Sequence, residues 1–502
     1  MTSRTLERLS GKGWLPVRPI QSLNNRNAIG VGAILGAGAI LFVAVFLGYV
    51  AAVMPWFISL GLVLLPILFV LVLTKPYVAL LLTLAMLFEA VPSAFQPRLP
   101  FGGGNLRLYD LLILLLLLVV ILRQVLARKS LLVDLGPMLP ALGYFTFAFG
   151  VSLFYGKFIV HNAEWLTEGR SAITWALLPL IVMACDTPKR FHNFVIGTVV
   201  LGLIIALYVS VQSLFEIRIM TEARVEALDV GVNSDVTRSI ADGGIYIVIF
   251  SVYLILNRLA DNRLSWLLGA PLLSLLMIGV AVQFGRGIWV AGALGLVMST
   301  YLHRGFGGLL RVVILGVVGL TLLLGALSIV KPRMVEALLD RATGISREIQ
   351  SGGSFDWRKR ENSAAFTAIE RHPFLGVGIG GDYKQTISSK GSFGIETRYI
   401  HNGYLYFPLK MGLYAAFIPL VFILCFVRVF RLGLRRHGRE GDMGLRAALA
   451  GGFFVPVITS FTQPEWVAPR GVAAFCVFMA IALLYLRDGK AVVQHKAHHA
   501  QA

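Results

Sequence analysis

Runs of about twenty apolar residues recur along this chain, and each is long enough to cross the ~30 Å hydrocarbon core of a bilayer. Because that core offers no hydrogen-bonding partners, a chain crossing it forms helices or a closed barrel. Of the 502 residues, 57% are hydrophobic and 14% are charged, and the mean hydropathy is +0.77. This is more apolar surface than a globular protein of this length buries. The sequence therefore predicts an all-α, polytopic integral membrane protein.

We expect about 12–14 transmembrane helices, with both termini on the same side of the membrane. The candidate spans are 28–50, 56–74, 77–92, 109–127, 135–154, 171–185, 194–215, 240–257, 264–282, 288–302, 311–330, 403–427, 447–462 and 471–486. A large loop at 331–402 separates a first part of the bundle, 28–330, from a last part, 403–486. A basic segment at 1–27 and a tail at 487–502 flank the bundle.

Basic residues are concentrated in alternate turns between these spans. The turn 428–446 carries six arginines, whereas the short turns on the other side hold at most three Lys or Arg each. Because cytoplasmic loops are enriched in Lys and Arg, we expect both termini in the cytoplasm and the loop 331–402 outside. This rule governs short loops, so the eleven Lys or Arg in the long loop do not oppose that orientation.

The long loop contains helical patterns of its own. Apolar residues recur on one face across 332–349, which predicts an amphipathic helix on the membrane surface. A second helix is expected from Asp356, as its N-cap, to Arg371, where the pair His372-Pro373 ends it. The glycines of 374–383 then predict a tight turn that approaches another segment closely. A nucleotide-binding loop would have a strand before it, a lysine within it and a helix after it, and this stretch has none of these, so the glycines are weak evidence for nucleotide binding.

The three cysteines lie in or at the ends of apolar runs, at Cys185, Cys425 and Cys476. They form neither a paired framework nor a set with metal-ligand spacing. We therefore expect no metal, no redox chemistry and no cofactor, and no nucleic-acid partner is expected either.

Several basic residues lie at the expected outer ends of spans, namely Arg170, Arg238, Arg286 and Lys410. A charge near hydrocarbon costs roughly 2.5 kcal/mol or more unless it is paired or hydrated, so such residues usually line a cavity. For each one alone, a side chain that snorkels to the interface is the alternative. Together with His401 they predict an outward-facing basic cavity. Such a cavity suits an anionic lipid headgroup, because arginine binds phosphate oxygens through a planar fork.

His401 stands at the expected start of a helix. The free N–H groups and the positive end of the dipole at that position favour a neutral imidazole, which is able to accept a proton. The alternative is a histidine that only makes interfacial hydrogen bonds.

Three segments of the chain resemble the O-antigen ligase and polysaccharide polymerase superfamily of bacterial envelope proteins. FGRGIWVAGALG at 284–295 is similar to the arginine turn that leads into a helix in that superfamily. ERHPFLGVGIGGDY at 370–383 resembles its His-Pro and Gly-x-Gly stretch, which lies in a large periplasmic loop. HNGYLYFPLKMGLY at 401–414 resembles its pattern of His-Asn, nine residues and Gly. The resemblance covers about residues 160–430, together with the general topology.

This resemblance implies a metal-independent glycosyltransferase in the bacterial inner membrane, with its active site facing the periplasm. The implied donor is an undecaprenyl-pyrophosphate-linked glycan, and the acceptor is a sugar hydroxyl on a glycan or on lipid A-core. His401 would accept the hydroxyl proton and Arg286 would stabilise the leaving pyrophosphate. The substrate-binding candidates are Arg170, Arg238, His372, Arg398, Asn402 and Lys410.

Two questions stay open at the level of sequence. Ligases often carry Gly, Thr or Tyr three residues after the glycine of the last pattern, whereas this chain has Ala415 there, with Tyr414 one place earlier. A ligase and a polymerase therefore both remain candidates. A flippase for lipid-linked oligosaccharide, or another polysaccharide transporter, is the alternative from another class. Transporters often show inverted repeats and charges at mid-membrane, whereas the charges here sit near the outer edge.

Overall fold

The computed structural model describes residues 70–91, 96, 98–101, 104–126, 133–216, 225–227, 237–343, 354–384, 397–437 and 442–501. The basic segment 1–27, the predicted span 28–50 and most of the span 56–74 lie outside these residues. Within them the chain is predominantly helical, which confirms the predicted all-α class.

The helices follow one another with short connections. The first part contains α1 (Pro76–Leu87), α2 (Leu108–Leu126), α3 (Leu139–Phe154), α4 (Trp165–Gly169), α5 (Leu177–Ala184) and α6 (Pro188–Phe215). The middle part contains α7 (Gly244–Ala260), α8 (Trp266–Ala281), α9 (Arg286–Val330), α10 (Pro332–Thr343) and α11 (Ser354–Arg371). The last part contains α12 (Gly403–Met411), α13 (Ile418–His437), α14 (Met443–Thr459) and α15 (Pro469–Gln501). Short 3-10 segments lie at Val133–Met138, Arg170–Ala176 and Leu413–Phe417, and a π-helical segment lies at Tyr155–Ile159.

Two small antiparallel hairpins occupy loops between the helices. β1 (Arg98–Phe101) pairs with β2 (Gly104–Arg107), and β3 (Val225–Ala227) pairs with β4 (Thr237–Ser239). In the second hairpin Glu226 lies opposite Arg238.

Five helical segments of the described chain are long and apolar enough to cross a membrane. They are 108–126, 135–159, 188–215, 413–435 and 469–487. The shorter apolar helices α1, α7, α8 and α14 coincide with further predicted spans. The polytopic architecture is thus confirmed. The total of 12–14 spans stays a prediction, because the region before residue 70 lies outside the described residues.

Glycines divide two stretches of the helical chain. α9 consists of two helical segments that meet in a sharp kink at Gly305 (φ 66°, ψ −162°), and this break lies between the separate spans predicted at 288–302 and 311–330. The single span predicted at 403–427 is wrong, because α12 ends at Met411 and Gly412 (φ 98°) redirects the chain before α13 begins.

The helices of the long loop agree in part with expectation. α10 forms over 332–343 with Met334 and Leu338 buried, whereas the end of the predicted helix at Ile349 lies outside the described residues. The prediction of Asp356 as an N-cap is wrong, because α11 already begins at Ser354. Serine shares the preference of aspartate for helix N-termini, so the sequence offered two start points.

α14 packs against both α9 and α15. Gly295 of α9 and Gly451 of α14 approach each other so closely that a Cβ on either would meet the backbone oxygen of the other. Small residues allow such close helix contacts in membranes. Behind them, Trp466 stacks on Phe475 of α15 with ring centroids 3.9 Å apart. This packing brings the start of α9 next to the turn that follows α14.

Candidate active site

The glycine turn of the long loop is inserted at the break between α12 and α13. The amides of Val377 and Gly378 donate to the carbonyls of Leu409 (2.9 Å) and Lys410 (3.2 Å). A Cβ on Gly412 would overlap the carbonyl oxygen of Phe374 in that turn. The predicted tight turn with a close backbone neighbour is therefore confirmed. It satisfies carbonyl groups that the interrupted helix cannot use itself.

Lys410 is fully buried beneath this turn. Its Nζ donates to the Gly381 carbonyl oxygen (2.7 Å) and contacts Glu168 Oε2 at 3.1 Å. The amide of Gly380 donates to the same Glu168 oxygen at 2.5 Å. Lys410 thus ties α12 to the glycine turn and to α4. Its substrate-binding role stays a prediction, and the contacts described here are structural.

His401 and Glu361 form a compact polar cluster. His401 Nδ1 and the His401 backbone N–H both lie 2.9 Å from Glu361 Oε2. Glu361 Oε1 accepts a hydrogen bond from Lys384 Nζ at 2.7 Å. The Glu361 side chain is 1% exposed and that of His401 is 21% exposed. A buried carboxylate therefore holds a histidine that still reaches the surface.

The charge state of Glu361 fixes the tautomer of its partner. Burial acts to raise the pKa of Glu361, but the hydrogen bonds and charges of His401 and Lys384 outweigh burial and lower it below its usual value. The carboxylate is therefore ionised at neutral pH and can only accept hydrogen bonds. His401 can then only donate to it, through Nδ1–H, so that in the neutral form of the ring Nε2 is the nitrogen that can accept a proton. The ring of Tyr399 packs against the imidazole edge to face, with centroids 4.8 Å apart.

Asn402 is the N-cap of α12. Its side-chain oxygen accepts hydrogen bonds from the amides of Tyr404 (3.0 Å) and Leu405 (3.2 Å). This cap explains why the His-Asn pair stands at the start of the helix: the asparagine begins the helix and places the histidine just before it. The direct substrate contact predicted for Asn402 remains a prediction.

Arg286 is the first residue of α9 rather than the last residue of a turn. The preceding Phe284 is fully buried with a positive φ of 52°, a conformation that a bulky residue keeps only under constraint from its surroundings. Arg286 Nε donates to the Arg341 carbonyl at 2.6 Å, and Arg341 Nε donates to the Phe284 carbonyl at 3.3 Å. The arginine turn is thereby fastened to the end of α10.

The turn after α14 contacts both the start of α12, next to His401, and the start of α9, next to Arg286. The amide of Gly403 donates to the Ser460 carbonyl at 2.8 Å. On the other side, a Cβ on Gly287 would lie 3.4 Å from Thr462 Oγ1. The N-terminal ends of α9 and α12 therefore flank one turn, and two positive helix ends converge beside Arg286 and His401.

A buried acid lies in the same turn. Burial raises the pKa of Glu465 to about 8, and a hydrogen bond with Tyr246 opposes this increase. A Cβ on Gly403 would approach the Glu465 backbone nitrogen at 3.4 Å, so the backbone of this turn lies against the start of α12.

The remaining candidates are distributed around this centre. Arg398 is about one third exposed and precedes His401 by three residues. Its Nη1 lies 3.4 Å from Glu164 Oε2, and its Nε lies 3.9 Å from Asp382 Oδ1. Arg170 Nη1 lies 4.0 Å from the buried Asp110 at the start of α2.

The last two candidates are His372, whose side chain the structure describes, and Arg238, whose side chain it does not describe. His372 is exposed at the end of α11, where its carbonyl accepts from the Gly376 amide at 3.0 Å. Arg238 lies in β4, and its side chain lies outside the described residues. Their substrate-binding roles remain predictions.

Sequence reasoning missed Glu361, Lys384 and Glu168. Each is one of many charged residues in polar stretches, and no spacing rule links 361 or 384 to 401. The one available signal is position: Glu361 lies on the predicted helix 356–371, three and four residues before Ala364 and Ala365 on a face that could be buried.

Comparison with known families matches one region of the chain. Residues 271–420 match the model of the O-antigen ligase family, a region that contains Arg286, Glu361, His401 and the glycine turn. No curated protein matches the chain. Residues 271–420 are therefore similar to the O-antigen ligase family, which confirms the resemblance drawn from the three motifs. Within the described residues no group of three potential metal ligands lies together, and metal independence remains a matter for experiment.

Proposed function

We propose that the chain transfers a glycan from undecaprenyl pyrophosphate to a sugar hydroxyl on the periplasmic face of the bacterial inner membrane. The acceptor is lipid A-core in a ligase or a growing polysaccharide in a polymerase. The observation that carries this proposal is the His401–Glu361 pair within the region that matches the O-antigen ligase family, 2.9 Å between Nδ1 and Oε2.

In the proposed reaction the acceptor oxygen attacks the anomeric carbon of the donor glycan. The bond from this carbon to the pyrophosphate oxygen breaks, and the hydroxyl proton moves to His401 Nε2. Glu361 then stabilises the imidazolium that forms, because its buried carboxylate already accepts the Nδ1–H hydrogen bond.

The leaving undecaprenyl pyrophosphate carries the developing negative charge. Arg286 and the N-terminal ends of α9 and α12 provide positive potential beside the turn 460–465, which the two helix ends flank. The bond to Arg341 fixes the Arg286 side chain through its Nε–H group, so that the guanidinium is held in place before substrate arrives. We propose that this electrostatic stabilisation replaces a divalent metal.

The proposal is tested by transfer assays in native membranes that contain the strain's own lipid-linked glycan and acceptor. His401→Ala should lower the transfer rate by roughly 10²-fold or more, the usual scale of general base catalysis. Arg286→Ala should also cripple transfer, and Arg286→Lys should restore it only in part, since an ammonium lacks the planar fork.

His192→Ala is the matched control, because this exposed histidine lies on α6, near its start. It should transfer at the wild-type rate. Full activity of a well-expressed His401→Ala protein would reject the catalytic role of the histidine. Loss of activity in EDTA, restored by Mg²⁺ or Mn²⁺, would reject metal independence.

A further inference from the structure

Tyr399 exposes aromatic surface beside His401, and the proposed reaction gives this ring no task. Tyr399 is 39% exposed, whereas the side chains of its neighbours Glu361 and Lys384 are 1% and 7% exposed. The rings of Tyr399 and His401 meet edge to face, with centroids 4.8 Å apart and planes at 89°. In this arrangement the imidazole covers at most one of the two broad faces of the tyrosine ring. The proposed general base therefore has an aromatic surface next to it that a substrate can reach.

The backbone of Tyr399 is held by the same group of residues that holds the histidine. Its carbonyl accepts hydrogen bonds from Lys384 Nζ at 3.0 Å and from the Tyr383 hydroxyl at 2.8 Å. Lys384 Nζ also donates to Glu361 Oε1 at 2.7 Å, and the other oxygen of Glu361 binds His401. One buried lysine thus ties the tyrosine to the carboxylate that orients the imidazole. The two rings are therefore placed before substrate arrives, which lowers the entropy lost on binding.

A sugar that gives its proton to His401 comes within contact range of this tyrosine. Proton transfer requires the hydroxyl oxygen to lie within about 3.2 Å of His401 Nε2. A sugar hydroxyl is one bond from the ring, or two in a hydroxymethyl group, so the sugar ring itself lies beside the imidazole. The Tyr399 ring, whose centroid is 4.8 Å from that of the imidazole, borders the same space.

Sugar rings and aromatic rings have complementary surfaces. The C–H bonds of a pyranose are polarised by the neighbouring oxygens, whereas the face of an aromatic ring carries partial negative charge. Stacking the two rings also removes apolar surface from water, and it leaves the hydroxyl groups at the rim of the sugar able to form hydrogen bonds. A tyrosine face is therefore suited to hold a sugar without engaging the hydroxyl that reacts.

We propose that Tyr399 is a stacking platform for the acceptor sugar, with a pyranose ring on the tyrosine face and its reactive hydroxyl at His401 Nε2. The platform favours sugars that present C–H bonds on the stacked face. The proposal rests on the proposed function, because the proton transfer to His401 is what places the acceptor beside the imidazole. A sugar of the donor glycan shares the stacking chemistry, and the experiment separates the two sources.

Steady-state kinetics with a soluble acceptor test the platform. The probe is the oligosaccharide released by mild acid from the strain's own acceptor glycolipid, added with lipid-linked donor to membranes that contain the full-length protein. Tyr399→Leu should raise the KM for this oligosaccharide about threefold to tenfold, the scale of one aromatic contact. The kcat and the KM for the donor should stay within about twofold of wild type, since stacking acts equally on the ground state and the transition state. Tyr399→Phe keeps the ring and should behave as wild type.

Saturation-transfer NMR on the purified full-length protein gives a second measurement that does not depend on turnover. The C–H protons of the oligosaccharide should receive saturation from the wild type and from Tyr399→Phe, and much less from Tyr399→Leu. Protein amount and thermal unfolding are measured for each variant, so that a loss of binding is separated from a loss of folded protein.

Phe366→Leu is the matched control, because this exposed phenylalanine lies on α11 at roughly 140° around the helix from Glu361. It should leave the KM for the oligosaccharide unchanged. An unchanged KM in a well-expressed Tyr399→Leu protein would overturn the platform. Equal increases in Phe366→Leu and Tyr399→Leu would also overturn it, because they would indicate general aromatic anchoring at the membrane surface.

The donor arm of the experiment decides which sugar is stacked. An increase confined to the KM for the donor would place a donor sugar on Tyr399 and overturn the assignment to the acceptor. Each of these outcomes leaves the role of His401 standing. Full activity of His401→Ala would instead reject the proposed reaction, and the platform with it.

Discussion

Replacing Glu361 with Gln perturbs the candidate site with little change in shape. One carboxylate oxygen accepts from His401 twice, at 2.9 Å each, and the other accepts from Lys384 at 2.7 Å. A glutamine offers one carbonyl oxygen and one NH₂ group. Its NH₂ group must therefore face either the donors of His401 or Lys384 Nζ, and in both cases a donor faces a donor. If the carbonyl faces Lys384, the NH₂ group faces His401 Nδ1 and the imidazole must adopt the opposite tautomer.

The expected loss of activity follows from this change. With Nδ1 as the acceptor, Nε2 carries the proton and cannot receive one from the acceptor hydroxyl. We expect the transfer rate of Glu361→Gln to fall by roughly 10²- to 10⁴-fold, the range of general acid–base contributions. Glu361→Asp keeps the charge but withdraws the carboxylate, and it should give an intermediate rate. Glu361→Ala breaks a buried ion pair with Lys384, so it should also destabilise the fold by roughly 3–5 kcal/mol.

The measurement is the initial rate of glycan transfer in native membranes across a range of pH. Protein amount and thermal unfolding are measured in parallel, so that a folding defect is separated from a catalytic one. Glu370→Gln is the matched control, since this glutamate is exposed on the same helix, α11. A folded Glu361→Gln protein with the rate and pH profile of wild type would refute the role assigned to the pair.

Three further predictions concern stability, each measured by thermal unfolding of the purified protein. Lys410→Met leaves the Glu168 carboxylate without its buried partner and should lower the free energy of unfolding by roughly 3–5 kcal/mol. Adding Glu168→Gln to the same protein should restore much of this stability. Equal unfolding temperatures for wild type and Lys410→Met would contradict the structural role of Lys410. Gly412→Ala should prevent stable folding because the new Cβ overlaps a backbone carbonyl, whereas Gly143→Ala, with nothing within 4 Å of its Cβ, should be tolerated. The pKa of Glu465 is raised to about 8 in the folded protein, whereas in the unfolded chain Glu465 loses its proton at the ordinary pKa of a glutamate. The free energy of unfolding should therefore fall as the pH rises from that ordinary pKa towards 8. Glu465→Gln should flatten this dependence, and an unchanged pH profile would argue against a buried neutral acid.

The membrane class and most helix positions could be predicted because they depend on the local composition of the chain. An apolar run near twenty residues has few alternatives to a helix in a bilayer. The errors occur where a contact distant in sequence decides the structure. Nothing in the run 403–427 shows that Gly412 faces the Phe374 carbonyl, because that contact joins two segments 38 residues apart.

Residues of the candidate site could be predicted only where a charged or titratable residue stands at the end of an apolar helix. His401 and Arg286 were found because a histidine and an arginine stand at the starts of apolar helices. Glu361 could not be identified in this way, because its importance comes from burial and from a partner 40 residues away. Lys410 was found as a charge in an apolar run, but its pairing with Glu168 depends on how α4 packs.

The most direct test of the central claim is the side of the membrane on which lipid-linked glycan accumulates. A strain whose only copy carries His401→Ala would be analysed with an impermeant label that reaches glycans on the outer face of the inner membrane. If the chain is a transferase, undecaprenyl-linked glycan should accumulate on that outer face, unligated or unpolymerised. Accumulation on the cytoplasmic face would instead indicate a flippase, and normal surface glycan in a strain that expresses the variant well would contradict the proposed role of His401.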